Sequence, residues 1–113
     1  MKKITYSKSL SLFLEKLKEA HLPIISVILF GSYARGDYHD DSDIDVLVIL
    51  KKETMKIKHQ ITSLVCQAEW ETNTNEWIMP LVIDQKHYKN WKTLNLDIYR
   101  NIQAEGKNLW KKI

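Results

Sequence analysis

The chain is predicted to be α/β (α+β), a small mixed β-sheet with helices packed on one face, and three observations carry that expectation. Three short apolar runs, Ile24 to Phe30, Ile44 to Leu50 and Trp77 to Ile83, are too short for helices and are bounded by turn-forming residues. Around them, apolar residues recur at helical spacing. A composition of 44% hydrophobic and 27% charged residues over 113 positions suits one compact domain, 1–113, with a single modest core.

Leu10, Phe13, Leu14, Leu17 and Ala20 form the first helical stripe, with Ser7 or Ser9 as its cap and Pro23 as its stop. The run Ile24 to Phe30 is aliphatic and closed by Gly31, which favours a buried strand. Ser32 to Ser42 holds Gly36, Asp37, Asp40 and Asp41, so it is a loop with room for one helical turn at its start. Ile44 to Leu50 is a second strand. From Thr54 to Thr72, Ile57, Ile61, Leu64, Val65 and Ala68 share a helical face, and Asn73-Thr74-Asn75 signals the turn that follows. Pro80 cannot donate to a ladder, which places the third strand at an edge or gives it a bulge. Lys86 to Leu94 and Leu96 to Glu105 are shorter helical patterns, the last capped by Gly106.

Composition excludes several classes. The net charge of +3 is mild and the lysines are dispersed, so charge does not argue direct nucleic-acid binding. Polar residues soon follow the basic start Met1-Lys2-Lys3, and no apolar run approaches the roughly 18 residues of a membrane span. Cys66 is the only cysteine and can form neither an intrachain disulfide nor a cysteine zinc site. The expected location is cytoplasmic.

The chemistry concentrates in Phe30-Gly31-Ser32-Tyr33-Ala34-Arg35-Gly36 and in Asp43-Ile44-Asp45. A glycine directly after a strand permits a sharp turn and lets a phosphate approach backbone amides, and the Ser32 hydroxyl is a further donor. Because strand side chains alternate, Asp43 and Asp45 project from one face about 7 Å apart. Two carboxylates at the end of an apolar strand repel each other, which a cation between them relieves, and an all-oxygen ligand set favours magnesium or manganese. Arg35 is one of two arginines beside fifteen lysines, and its place in the loop suits either a phosphate fork or a surface charge. His39 is a solvated loop histidine. Trp70, Trp77, Trp91 and Trp110 suit interfaces, the core or stacking on adenine.

Gly31-Ser32, ten intervening residues and Asp43-x-Asp45, with Ala34-Arg35-Gly36 inside the spacer and Ser42 before the first aspartate, resemble the signature of the polymerase beta nucleotidyltransferase superfamily. The pattern is most similar to the minimal nucleotidyltransferase (MNT) domains, and Tyr99-Arg100-Asn101-Ile102 with Glu105-Gly106 resembles their C-terminal end. The resemblance implies a nucleotidyltransferase-like fold and a two-metal Mg2+ site, with ATP as substrate. It implies that Gly31, Ser32 and Arg35 hold the triphosphate while Asp43 and Asp45 hold metal. It further implies an antitoxin that transfers AMP to a tyrosine of a HEPN-domain toxin, in a homo- or hetero-oligomer that completes the cleft. The alternative is a catalytically weak nucleotide-binding protein that neutralises its partner by contact.

The resemblance also implies a third carboxylate near the middle of the next strand, where this chain has Met79-Pro80. Asp84 closes that strand. It stands either as a replacement catalytic and metal ligand or as the first residue of the following loop.

Overall fold

A computed structural model describes residues 7–110; the Met1-Lys2-Lys3 start lies outside the described residues. The elements follow in the order α1 (Lys8–Glu19), β1 (Ile24–Phe30), α2 (Ser32–Arg35), β2 (Asp43–Leu50), α3 (Met55–Thr72), β3 (Trp77–Asp84), α4 (Gln85–Thr93), α5 (Asp97–Glu105) and β4 (Lys107–Asn108).

Local chemistry sets their ends. The Ser7 hydroxyl accepts from the Leu10 amide at 3.0 Å and so caps α1. Thr54 caps α3 in the same way, through the Ile57 amide at 3.1 Å. Asn73 closes α3 in the left-handed conformation that asparagine tolerates, at the turn expected there. The loop after β1 does contain one helical turn, α2. The Gly106 amide closes α5 on the Ile102 carbonyl. The strand β4 was not expected: two polar residues carry no hydrophobic alternation, and only pairing with β1 defines it.

The sheet order is β3-β2-β1-β4. Strand β1 runs antiparallel to β2 and to β4, whereas β2 and β3 are parallel, so the sheet is mixed as predicted. With β3 at the edge, Pro80 sits where a missing donor costs least.

The expected placement of helices on one face is corrected. On one face Leu10, Phe13 and Leu17 of α1 and Ile61, Val65 and Ala68 of α3 pack on Val27, Leu29, Ile44, Val46, Val48 and Leu50. On the other, Ile102 of α5, with Tyr88 and Trp91 of α4 and Ile98 of α5, packs on Leu47, Ile49 and Ile83. The reason is visible in β2 itself: Leu47 and Ile49 are as apolar as the residues between them, so both faces of that strand require cover. Burying each such side chain contributes about 1.5–3 kcal/mol. The cover on the second face stops short of the N-terminal end of β2. There the sheet carries Asp43 and Asp45 in place of aliphatics.

Candidate active site

Gly31 links the end of β1 to the start of α2, and its backbone adopts φ +77°, a conformation that L side chains rarely take. Its carbonyl accepts the Ala34 and Arg35 amides at 3.1 Å each, which fixes the turn. A second constraint acts on the same residue. A Cβ on Gly31 would lie 2.3 Å from Asp45 Oδ2, so the absence of a side chain is what lets the Asp45 carboxylate lie against the turn. Ser32 opens α2, whose Ala34 and Arg35 amides are held by the Gly31 carbonyl.

Asp43 and Asp45 head β2, and the ladder pairs Asp45 with Phe30 on one side and with Met79 on the other. Strand alternation puts both carboxylates on the face that carries Leu47 and Ile49, beyond the area covered by α4 and α5. Burial lifts the Asp45 carboxyl above its usual range, the charge of Asp43 adds to that, and Arg35 partly offsets it. An anionic pair held in this way is relieved by a hard divalent cation, which takes one or two carboxylates and completes its shell with phosphate oxygens and water. The donor chemistry of the two aspartates fits such an ion. Among the described residues, no group of three or more His, Cys, Asp and Glu side chains gathers in a metal-binding arrangement.

Asp84 is not brought to the carboxylate pair. Because β2 and β3 are parallel, Asp84 pairs with Leu50 at the far end of the sheet, about 16 Å along the strands from Asp45, and its place in the alternation puts it on the opposite face. It is the N-cap of α4. Its Oδ1 accepts the His87 amide at 2.9 Å and its Oδ2 accepts the Glu53 amide at 3.2 Å. These two hydrogen bonds hold its carboxyl below the usual range. Asp84 thus begins the loop and helix that follow, the second of the two readings its sequence position allowed.

Arg35 stands beside the site, but its guanidinium is engaged. Nε donates to Asp37 Oδ2 at 3.2 Å and an Nη donates to Glu105 Oε1 at 3.0 Å. Glu105, from the end of α5, was not foreseen as its partner, since seventy residues of sequence separate the two. Tyr33 stacks on Tyr38 with ring centroids 4.0 Å apart, and both border an open cleft of about 340 Å³ with His39, Asp40, Asn75 and Glu76. Burial raises the Tyr33 hydroxyl pKa, and Glu76, Tyr38 and Asp40 reinforce it.

Residues 10–108 match the nucleotidyltransferase domain family. The chain is 31% identical over 104 residues to a Methanocaldococcus jannaschii protein provisionally named a protein adenylyltransferase, covering 91% of this chain and 96% of that protein. A second protein of the same archaeon and the same provisional name is 38% identical over 80 residues, which are 70% of this chain and 75% of the relative. The chain belongs to the nucleotidyltransferase domain family.

Solved structures share the fold of this nucleotidyltransferase. A toxin-antitoxin crystal structure with AMP-PNP contains a chain that superposes with a TM-score of 0.59 at 20% identity, covering 90% of this chain and 73% of that one. A protein from Sulfolobus solfataricus, provisionally described as a nucleotidyltransferase, superposes with a TM-score of 0.51 at 21% identity, covering 97% and 94%. Among the described residues of the nucleotidyltransferase, no helix is long and apolar enough to cross a membrane.

Proposed function

We propose that this nucleotidyltransferase transfers AMP from ATP to a hydroxyl of a partner protein, as the antitoxin of a HEPN/MNT pair. One observation carries the proposal: two alternate aspartates head β2, and one of them, Asp45, lies against a glycine turn whose lack of a side chain makes room for it. The relatives provisionally named protein adenylyltransferases support the reaction class. The toxin-antitoxin neighbours, one of them with AMP-PNP, support the nucleotide and the toxin-antitoxin setting.

In the proposed site Gly31 and Ser32 receive the triphosphate through backbone amides and the serine hydroxyl, with Arg35 as a nearby positive charge. Asp43 and Asp45 hold Mg2+, which supplies charge neutralisation at the phosphates and lowers the pKa of the acceptor hydroxyl. The acceptor oxygen attacks the α-phosphorus as the bond from that phosphorus to the β-bridging oxygen breaks. Pyrophosphate departs with that electron pair, and the hydroxyl proton passes to solvent. Localisation in the cytoplasm, assembly with itself or with the partner, and confinement of the activity to one domain spanning 1–113 belong to the same proposal.

A second reading has its own observation. Met79 occupies the ladder position beside Asp45, and no carboxylate of β3 stands there. A nucleotide-binding protein that neutralises its partner by contact, with weak turnover, fits that substitution. One experiment separates the two. The protein is combined with the HEPN partner, Mg2+ and ATP labelled at the α-phosphate, and label on the partner is followed. Transfer that is lost in Asp43→Asn and Asp45→Asn variants supports the enzyme. Neutralisation of the partner that survives these substitutions with no label transferred establishes the contact mechanism instead.

A further inference from the structure

Glu105 stands seventy residues from Arg35 in the sequence, yet its Oε1 accepts a hydrogen bond from the Arg35 guanidinium at 3.0 Å. Long-range structure brings it there. Glu105 is the last residue of α5, and directly after it Lys107 and Asn108 pair with Leu29 and Ile28 of β1, while the Leu109 amide donates to the Val27 carbonyl at 2.7 Å. Because this pairing is antiparallel, the residues just before Lys107 approach the end of β1 that carries Gly31. Gly106 permits the close fit: a Cβ there would lie 2.4 Å from the Ile102 carbonyl oxygen and 2.9 Å from Ile28 Cγ2. The helix on one side and the strand pairing on the other therefore fix the backbone of Glu105 beside the glycine turn.

A fixed carboxylate can aim a guanidinium. Arg35 Nε donates to Asp37 Oδ2 and Nη1 donates to Glu105 Oε1, so two of its three nitrogens are tied. The third, Nη2, has no protein partner among the described residues. Arg35 follows Ser32 by three residues in the single turn of α2, which puts both side chains on one face of that turn. Its charge also reaches the metal-binding end of β2, where it acts against burial and Asp43 in lowering the Asp45 carboxyl pKa. A planar, forked cation in this place matches phosphate geometry. An arginine already held by two carboxylates also loses less side-chain freedom on binding phosphate than a loose one. As an exposed ion pair the contact adds little to stability, so its effect belongs to binding.

We infer that Glu105 is a positioning residue, holding Arg35 so that its open Nη faces the phosphates of a nucleoside triphosphate. The inference rests on the reading of Gly31 and Ser32 as the triphosphate site.

The test measures the dissociation constant for MgATP by calorimetric titration of the full chain, and so does not depend on turnover. Glu105→Ala is expected to weaken MgATP by roughly three- to tenfold, the value of ordering one long side chain in advance. Glu105→Gln retains an acceptor oxygen and should recover most of that loss. Arg35→Ala should weaken MgATP at least as much as Glu105→Ala, and Arg35→Ala/Glu105→Ala no more than Arg35→Ala alone. Equal losses from Glu105→Ala with and without Arg35 would overturn the inference, since Glu105 would then act only on the structure. Unchanged or tighter binding in Glu105→Ala would overturn it by showing that the pair holds Arg35 away from the phosphates. A glutamine variant as weak as the alanine variant would overturn it too, because charge and not the orienting hydrogen bond would be responsible. Wild-type protein that binds no MgATP would refute the proposed function itself, whereas binding indifferent to Glu105 refutes this inference alone.

Discussion

Gly31→Ala is the perturbation whose consequence follows most directly from the geometry. Two penalties act at this position. The backbone, at φ +77° and ψ −156°, occupies a region reserved almost wholly for glycine, and alanine there costs about 1–3 kcal/mol. At about 4 °C of melting temperature per kcal/mol for a domain of this size, that corresponds to a fall of roughly 4–12 °C. The second penalty falls on the site. A Cβ 2.3 Å from Asp45 Oδ2 is below the 3.0 Å that real contacts respect, so the carboxylate must retreat by at least about 0.7 Å. Misplacing a reacting or metal-binding group by 1 Å costs on the order of a hundredfold in rate, so transfer is expected to fall by about ten- to a hundredfold. Gly36→Ala is the control: Gly36 also has a positive φ, +86°, but a Cβ there meets nothing within 4 Å. It should lower the melting temperature while sparing most of the activity. Thermal melts and label transfer on the two variants check both numbers. Gly31→Ala with wild-type rate and melting temperature would refute the reasoning, and equal rate losses in the two variants would assign the effect to backbone strain and not to Asp45.

Four further outcomes are expected. Asp45 has a raised carboxyl pKa in the fold, so its ionisation opposes folding as pH rises through the carboxylate range. Asp45→Asn should therefore raise the metal-free melting temperature at neutral pH while removing the stabilisation that Mg2+ gives the wild type. For Glu53, burial raises the carboxyl pKa but is outweighed by hydrogen bonds from Lys58, His87 and the Asp84 amide, which bring it to about 2. A carboxylate depressed in this way adds stability above its unfolded pKa of 4.5 and loses it as pH falls from there toward 2, so Glu53→Gln should flatten the acid limb of a melting-temperature profile. Asp84→Ala should lower the melting temperature by uncapping α4 yet leave MgATP binding and transfer unchanged; loss of transfer without loss of stability would return Asp84 to the site. Met79→Asp places a carboxylate level with Asp45 and should speed transfer to the partner by about tenfold or more; an unchanged rate would show that no base was missing.

Features of this protein that depend only on neighbours along the chain are legible in its sequence. The Gly31 turn is one example, since strain at positive φ is a property of one residue and its peptide planes. The shared face of Asp43 and Asp45 is another, because strand alternation alone sets it. The caps at Ser7 and Thr54 and the left-handed Asn73 follow the same logic. Other features depend on which strand pairs with which, and in what direction. The parallel register of β2 and β3 sends Asp84 to the wrong end and face of the sheet and puts Met79 beside Asp45. The cover on the second face, the engagement of Arg35 by Glu105 and the open edge at Trp77 arise the same way.

By itself, then, the sequence determined the element order as far as α5, the glycine turn and a carboxylate pair on one strand face, because each is decided by local backbone sterics and side-chain period. Only the tertiary structure decided what flanks that pair: a glycine surface on the β1 side and an exposed tryptophan and methionine on the β3 side, with Asp84 removed to cap a helix. The reason is that ladder register and strand direction are fixed by long-range burial of the aliphatic faces. No local pattern in β3 records which of its residues will stand level with Asp45.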